Sequence, residues 1–348
     1  MKKLISSLLA LLLASLLLTG CSSDALQVYL PGSYILDDLV DEFTEQTGIK
    51  VKLNLFDSNE DAYVKLEGGD VYDVIIPSDY MIEKLIDENM LRPIDKSIIT
   101  NLDQLYDGVK NMEYDPDNTY TVPYFWGNVG ICYDTREIDP ADVESQGWEV
   151  FRNTKYAGKL YFYDSARDEF MIAEKSLGLS MNETDKNKID EAKKWLRKIT
   201  DTMEPSFVTD EAIDGLMNPK REGFYYGMMY SGDAANIISE NENARFFAPS
   251  EGTNYFVDAM CIHKDTTRFD EACQFINFMI SYDAQIANST EVGYSSVNAK
   301  ALQDLASGVF AGNEAYIPRE KNEKDETFHN NESIREYLNE AWLDVKNN

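Results

Sequence analysis

The chain is poor in the residues from which most metal and nucleophilic sites are built. Its 348 residues include two histidines, His263 and His329, and four cysteines. No Cys-x-x-Cys and no His-Glu-x-x-His spacing occurs, so neither a zinc site nor a histidine-based triad is expected. The sequence calls for no metal and no cofactor. Cys132, Cys261 and Cys273 lie in the apolar contexts "GICYD", "AMCIH" and "EACQFINF" and read as buried free thiols. A Cys132–Cys261 bridge is the alternative that an oxidising compartment allows. Basic residues are also scarce, 32 against 62 acidic ones, for a net charge of −30. Such a surface repels nucleic acid and anionic lipid and favours cationic ligands and partners. No nucleic-acid partner is expected. Linkers are missing too: there is no Pro- or Ser-rich tract, no repeat and no low-complexity segment. A chain too long for one simple core should form two lobes, and these must be joined by strands or tight crossings.

Long apolar runs are absent except at the start. "MKK" is followed by "LISSLLALLLASLLL", which is too short and wrongly flanked for an ordinary membrane anchor. It ends in "LTGC", Leu18 to Cys21, which resembles a bacterial lipobox. Residues 1–20 are therefore expected to be a lipoprotein signal peptide, with lipidation at Cys21. The mature chain would be extracytoplasmic, lipid-anchored to the bacterial cell membrane or periplasmic. Loss of Lys2 and Lys3 makes it more acidic still.

From Ala25 onward strand and helix patterns alternate. "ALQVYL" reads as a strand, and "SYILDDLVDEFTEQTG" as a helix with Ile35, Leu39, Val40 and Phe43 on one face, ended by Gly48. "IKVKLNLF" alternates like a strand, "SNEDAYVKLEGG" opens with a cap and stops at paired glycines, "YDVIIP" is a buried strand, and Ser78 opens another helix. This order predicts α/β architecture with a parallel sheet. Further helices are expected over 189–199, 268–281 and near the C-terminus, and a strand, turn and helix over "FYYGMMYSGDAANIIS".

In open α/β sheets ligands lie beyond the carboxyl ends of strands. The loops at those ends carry Ser33 and Tyr34; Ser78, Asp79 and Tyr80; Asp164, Ser165, Asp168 and Phe170; Tyr230, Ser231 and Asp233; and Tyr294. Aromatic and acidic residues recur together there, and Arg167 is the one basic exception. Another acid is stranger. "NYFVDAMCIH" reads as a buried strand, yet Asp258 stands in its middle. A carboxylate away from water costs several kcal/mol unless a cation or hydrogen-bond donors face it.

The blocks "FTEQTGIKV", "FDSNEDAYVKL", "YDVIIPSDYMIEKL", "YDPDNTYTVPYFWGNVGICYD", "DSARDEF", "SGDAA", "APSEGTNYFVDAM" and "EVGYSSVN" resemble, in order, the bacterial extracellular spermidine/putrescine-binding proteins, receptor subunits of polyamine ABC transporters. The resemblance implies a two-lobed periplasmic-binding-protein (Venus-flytrap) fold with its ligand cleft between the lobes. It places crossings near Cys132–Tyr133, Asp258–Ala259 and residue 302. Lobe 1 is then 26–132 plus 259–302, and lobe 2 is 133–258 plus 303–348. It implies a non-enzymatic, monomeric receptor whose partners are a polyamine, putrescine or spermidine, the ABC permease subunits, and the membrane through the lipid anchor.

By the same resemblance Tyr34 matches an aromatic near the ligand, and Ser78 and Tyr80 match the pocket segment after the "IIP" strand. Asp168 and Asp258 stand at amine-binding acids, and Tyr294 at the pocket tyrosine of the "GY" turn. Tyr230 and Phe256 stand where spermidine-type members carry Trp. Asp233 stands where putrescine-type members carry an acid. Two departures matter: Leu30-Pro31 replaces "NW", and Ser165 replaces an acid of spermidine-type pockets. The pocket is mixed: Asp233, Phe256 and Ser165 point to the putrescine type, while Tyr80 and the Pro31 change pull the other way, and on balance putrescine is expected to bind at least as tightly as spermidine. The chemistry is consistent, because a polyamine needs spaced carboxylates and aromatic walls that add cation–π contacts of about 0.5–2 kcal/mol.

Plainer readings stand beside these. Tyr34, Tyr230 and Phe256 read equally as core aromatics. Asp164 and Asp168 read as a helix N-terminal acid pair, and Asp233 as the cap of a helix starting at Ala234. Trp126 lines the cleft or packs the hinge. The competing functions are a receptor of the same fold for another cationic or neutral small solute, and a glycosidase using two of the carboxylates. The whole-chain resemblance disfavours the last.

Overall fold

The computed structural model describes residues 24–209, 211–319 and 323–347. The expected signal segment and Cys21 lie outside the described residues. No described helix is long and apolar enough to cross a membrane.

The strands in chain order are β1 (Leu26–Pro31), β2 (Val51–Phe56), β3 (Val74–Ile75), β4 (Leu91–Arg92), β5 (Thr121–Asp134), β6 (Leu160–Tyr163), β7 (Ser206–Val208), β8 (Tyr226–Tyr230), β9 (Ala244–Phe247), β10 (Tyr255–His263) and β11 (Ser295–Ser296). Helices Asp37–Thr47, Asn59–Glu67 and Asp79–Asp87 separate and follow the first three. β2, β1 and β3 pair in parallel, as the alternation of strand and helix predicts. β7, β6 and β8 form a second parallel group. The sheet as a whole is mixed, because β10 and β5 run antiparallel to their neighbours. These two long strands return from one group to the other, a role that strand–helix periodicity does not reveal.

β5 is the spine. All of its residues are buried, which is why it reads as an apolar run without alternation. Its first part, to Asn128, pairs with β10; from Val129 it pairs with β8, and from Ile131 also with β9. The handover between the two halves thus falls at Asn128–Val129. The β5–β10 register slips between Asp258 and Ala259. A slip of this kind re-aims side chains, and here it lies at the buried acid.

Most of the expected helices form for the expected reasons. Ser58 caps Asn59–Glu67 by accepting the Asp61 N–H, and Gly48 closes Asp37–Thr47 at a φ of 75°, a conformation glycine adopts without strain. Helix Lys186–Met203 buries Ile189, Ala192, Trp195, Leu196, Ile199 and Met203, one stripe at helical spacing. One expectation fails. No turn separates β8 from the next helix, which runs Ser231–Glu240, so Asp233 lies in its first turn and does not cap it. Cys132, Cys261 and Cys273 are buried free thiols.

Candidate functional site

The strand order brings the carboxyl ends of β1, β3, β6 and β8 to one cleft, and Asp258 reaches the same place from the middle of β10. The acids there pair with tyrosines. Asp258 Oδ2 accepts the Tyr34 hydroxyl. Asp168 Oδ1 accepts the Tyr230 hydroxyl at 3.0 Å. Asp233 Oδ2 accepts the Tyr294 hydroxyl at 3.0 Å. This last pair joins the two halves, because Tyr294 precedes β11 and Asp233 follows β8.

The rings also touch one another. Tyr34 meets Tyr294 edge-on with centroids 5.4 Å apart, Tyr294 meets Phe256 at 6.0 Å, and Phe256 meets Tyr230 at 5.5 Å. An unbroken aromatic row therefore runs from Asp258 to Asp168. Two glycines make room for it. A Cβ on Gly127 would lie 2.7 Å from the Phe256 ring, and one on Gly232 would lie 2.1 Å from the Tyr294 ring. Neither glycine stands out in the sequence, because the demand comes from a ring on another strand or loop.

Burial dominates the electrostatics. It pushes the Asp258 carboxyl up to about 6, against the pull of the Tyr34 and Ser78 hydroxyls, which favour the charged form. Asp168 is also raised by burial, with Ser165, Arg167 and Tyr230 pulling it back. Tyr34, Tyr230 and Tyr294 are held well above the ordinary phenol range, first by burial and next by the neighbouring acid. They stay protonated and act as donors. Asp258 Oδ1 has no partner at all. A fully buried, unpaired carboxylate oxygen beside aromatic faces is a place prepared for a cation.

Not every expected residue joins this row. Tyr80 is buried, but the Arg167 guanidinium covers its ring face at 3.4 Å. Its hydroxyl points to Glu60 at 3.3 Å, and Arg167 also pairs with Glu60 at 3.2 Å. Arg167 belongs to the second half while Tyr80 and Glu60 belong to the first, so the trio ties the halves together. Ser78 bonds Asn59 through both its amide and its hydroxyl at 3.2 Å. Asp164 turns away from the cleft and takes Lys346 at 2.7 Å and the Trp342 indole at 2.9 Å. The expected Asp164–Asp168 pair is therefore split. Trp126 is buried, donates to Ser296 O at 3.0 Å and stacks on Tyr106 at 5.2 Å; it packs the crossing strands. Glu60 and the two glycines are residues around this row to which the sequence does not point, whereas Asp79 is among its strand-end acids. No group of residues suited to hold a metal occurs among the described residues.

Two parallel half-sheets sharing long crossing strands, with an acid-and-aromatic cleft between them, define a two-lobed solute-binding protein. The chain belongs to the bacterial extracellular solute-binding protein family, whose model matches residues 38–315. It is 32% identical, over 82% of its length and 80% of the relative's, to the spermidine/putrescine-binding periplasmic protein of Salmonella typhimurium. It is 27% identical over 99% of its length and 98% of the relative's to PotF, a putrescine-binding periplasmic protein of Escherichia coli. Among solved structures it resembles the spermidine/putrescine ABC transporter substrate-binding protein PotD of Streptococcus pneumoniae. That match has a TM-score of 0.80 and 32% identity, and covers 93% of this chain and 99% of that one. The protein is a receptor of the extracellular or periplasmic type and not an enzyme.

Proposed function

We propose that the protein captures a polyamine outside the cytoplasmic membrane and delivers it to the permease of an ABC transporter. The observation that carries this reading is Asp258: a buried carboxylate with one oxygen unpartnered, at the end of an aromatic row that leads to two further acids. One ammonium binds at Asp258, the methylenes lie along Tyr34, Tyr294, Phe256 and Tyr230, and the other ammonium binds at Asp168 or Asp233. The tyrosine hydroxyls hold each carboxylate in place while leaving lone pairs for the ligand. The names of the relatives point to the same ligand class. Ser165 in place of an acid and Asp233 beside Tyr294 favour the shorter putrescine.

The lobes in this reading are 26–132 plus 259–302 and 133–258 plus 303–348, with the β5 handover at Asn128–Val129. A lipid on Cys21 tethers the receptor, which acts as a monomer. A thermal-shift panel of putrescine, spermidine, spermine, lysine and a set of sugars tests the ligand class. The diamine and triamine should raise the midpoint by several degrees at ligand concentrations a hundredfold above Kd, a stabilisation of about 2.7 kcal/mol. A midpoint that responds to a sugar or to lysine and not to polyamines would replace this reading with that of a receptor for another solute.

A further inference from the structure

A second set of contacts between the two halves lies away from the aromatic row. Glu83 stands in helix Asp79–Asp87, one turn past Tyr80, and this helix follows β3 and packs on β10. The residues that meet it, His329 and Asn330, come from the far end of the chain. They precede helix Glu332–Lys346, which packs on helices Ala166–Ser176 and Lys186–Met203, on the side of β6. Asn182, between those two helices, anchors the segment there. Its Oδ1 accepts the His329 amide at 2.9 Å, its Nδ2 donates to Thr327 O at 2.8 Å, and its carbonyl accepts the Asn331 side chain at 3.3 Å.

From this anchor the segment reaches across. Glu83 Oε2 accepts the Asn330 N–H at 2.6 Å, a short charge-assisted bond. Both Glu83 oxygens lie 3.3 Å from His329 Nδ1, and His329 Nε2 faces Glu113 Oε2 at 3.4 Å. Glu332 meets Lys84 at 3.1 Å. The hollow left at this seam measures about 60 Å³ and is lined by Tyr80, Arg167, Phe328 and His329, among others. That is far below the size of a ligand site, so the seam is a closed contact and not a second pocket.

The choice of partners separates this contact from ordinary packing. Among the described residues, every hydrogen bond and ion pair of the Glu83 side chain goes to the opposite half, and so does every one of the His329 ring. Neither side chain braces the half that carries it. Their side chains are 29% and 36% exposed, so both return to water at little cost when the halves part. Contacts that exist only in the closed form stabilise that form alone.

We propose that Glu83 is a positioning residue for ligand retention: His329 and Asn330 grip it when the cleft closes, and this clasp sets the rate at which a bound amine leaves. The proposal rests on the polyamine reading above. Capture takes place while the clasp is open, so its loss acts on release and not on association.

The test is stopped-flow mixing of the full protein with putrescine, reading association and dissociation separately in wild type, Glu83→Ala, His329→Ala and the double variant. Dissociation should be about three- to tenfold faster in Glu83→Ala, with association within about twofold of wild type. The double variant should release ligand little faster than Glu83→Ala, because both changes open one clasp. The empty variants should melt with wild type. Glu83→Gln, which keeps the shape and an acceptor oxygen, should fall between wild type and Glu83→Ala, and it replaces the latter should that variant fail to fold. An unchanged dissociation rate in a folded variant, or a lower melting midpoint of the empty protein with release unchanged, overturns the proposal. Wild-type protein that does not bind putrescine at all would instead overturn the function on which it rests.

Discussion

The two sides of the cleft hold their acids in different ways. On one side, Asp168 and Asp233 both lie in the first turn of a helix that follows a strand, β6 or β8. Helix N-termini offer unpaired N–H groups and a positive dipole end, so a carboxylate is at home there with or without a ligand. Arg167 adds a cation next to Asp168. On the other side Asp258 has none of this. It lies in a fully buried strand at a slipped register, held by the Tyr34 hydroxyl, and one of its oxygens is bare. Under the proposed function, this contrast singles out Asp258 as the acid that serves the ligand: Asp168 and Asp233 have a structural reason to be where they are, and Asp258 would have only the incoming cation.

The largest effect should therefore come from Asp258→Asn. Removing one partner of a buried charge pair costs about 3–5 kcal/mol, so polyamine affinity should fall by at least a hundredfold by calorimetry. The empty protein should melt no lower than wild type, because the variant removes an unsatisfied buried charge. An affinity within threefold of wild type would erase the distinction between the two sides. Asp168→Asn should cost less, about 1.5–3 kcal/mol, the range for a hydrogen bond to a charged group, because Asp233 and Arg167 remain. Equal losses in the two variants would show that the sides share the ligand evenly.

Acid should separate binding from folding. The Asp258 carboxyl is raised to about 6 from an unfolded value of about 3.9. Its contribution to the stability of the empty protein is complete below the unfolded value and is lost as pH rises through about 6. Ligand affinity follows the opposite course, because the ammonium needs the carboxylate. Below pH 6, putrescine affinity should fall by up to about tenfold per pH unit, and the slope should be shallower in Asp258→Asn. Titrations at pH 5 and 7.5 check this.

Two smaller effects bear on the same contrast. Asp233→Ser should shift the spermidine-to-putrescine affinity ratio severalfold toward spermidine, since the remaining acids then suit a diamine less well. A competition titration with an unchanged ratio would take Asp233 out of ligand choice. Salt should act mainly on capture. The net charge of −30 acts at long range, whereas the pocket contacts are desolvated, so ionic strength should slow association more than it speeds dissociation. Stopped-flow mixing from low to high salt reads both rates.

Much of the fold can be read in the sequence because it is local. The alternation of strands and helices, the Ser58 cap and the Gly48 stop depend on neighbours within a few residues. The acids and tyrosines at strand ends can be picked out by position in an α/β chain. Their partnerships cannot, because Tyr34 and Asp258 are 224 residues apart, and the Arg167–Glu60 pair is separated by 107. The same distance hides Tyr80, which reads as a free aromatic wall until Arg167 is seen to cover it. Asp79 reads as one more acid at a helix start; only its burial and its bare oxygen set it apart.

Where the ammonium groups bind decides most directly between the two sides. A crystal structure of the putrescine complex should place one ligand nitrogen within about 2.7–3.2 Å of the bare Oδ1 of Asp258, with the second nitrogen against Asp168 or Asp233 and the methylenes along the Tyr294 and Phe256 rings. A ligand bound with neither nitrogen at Asp258 would contradict the role given to that acid.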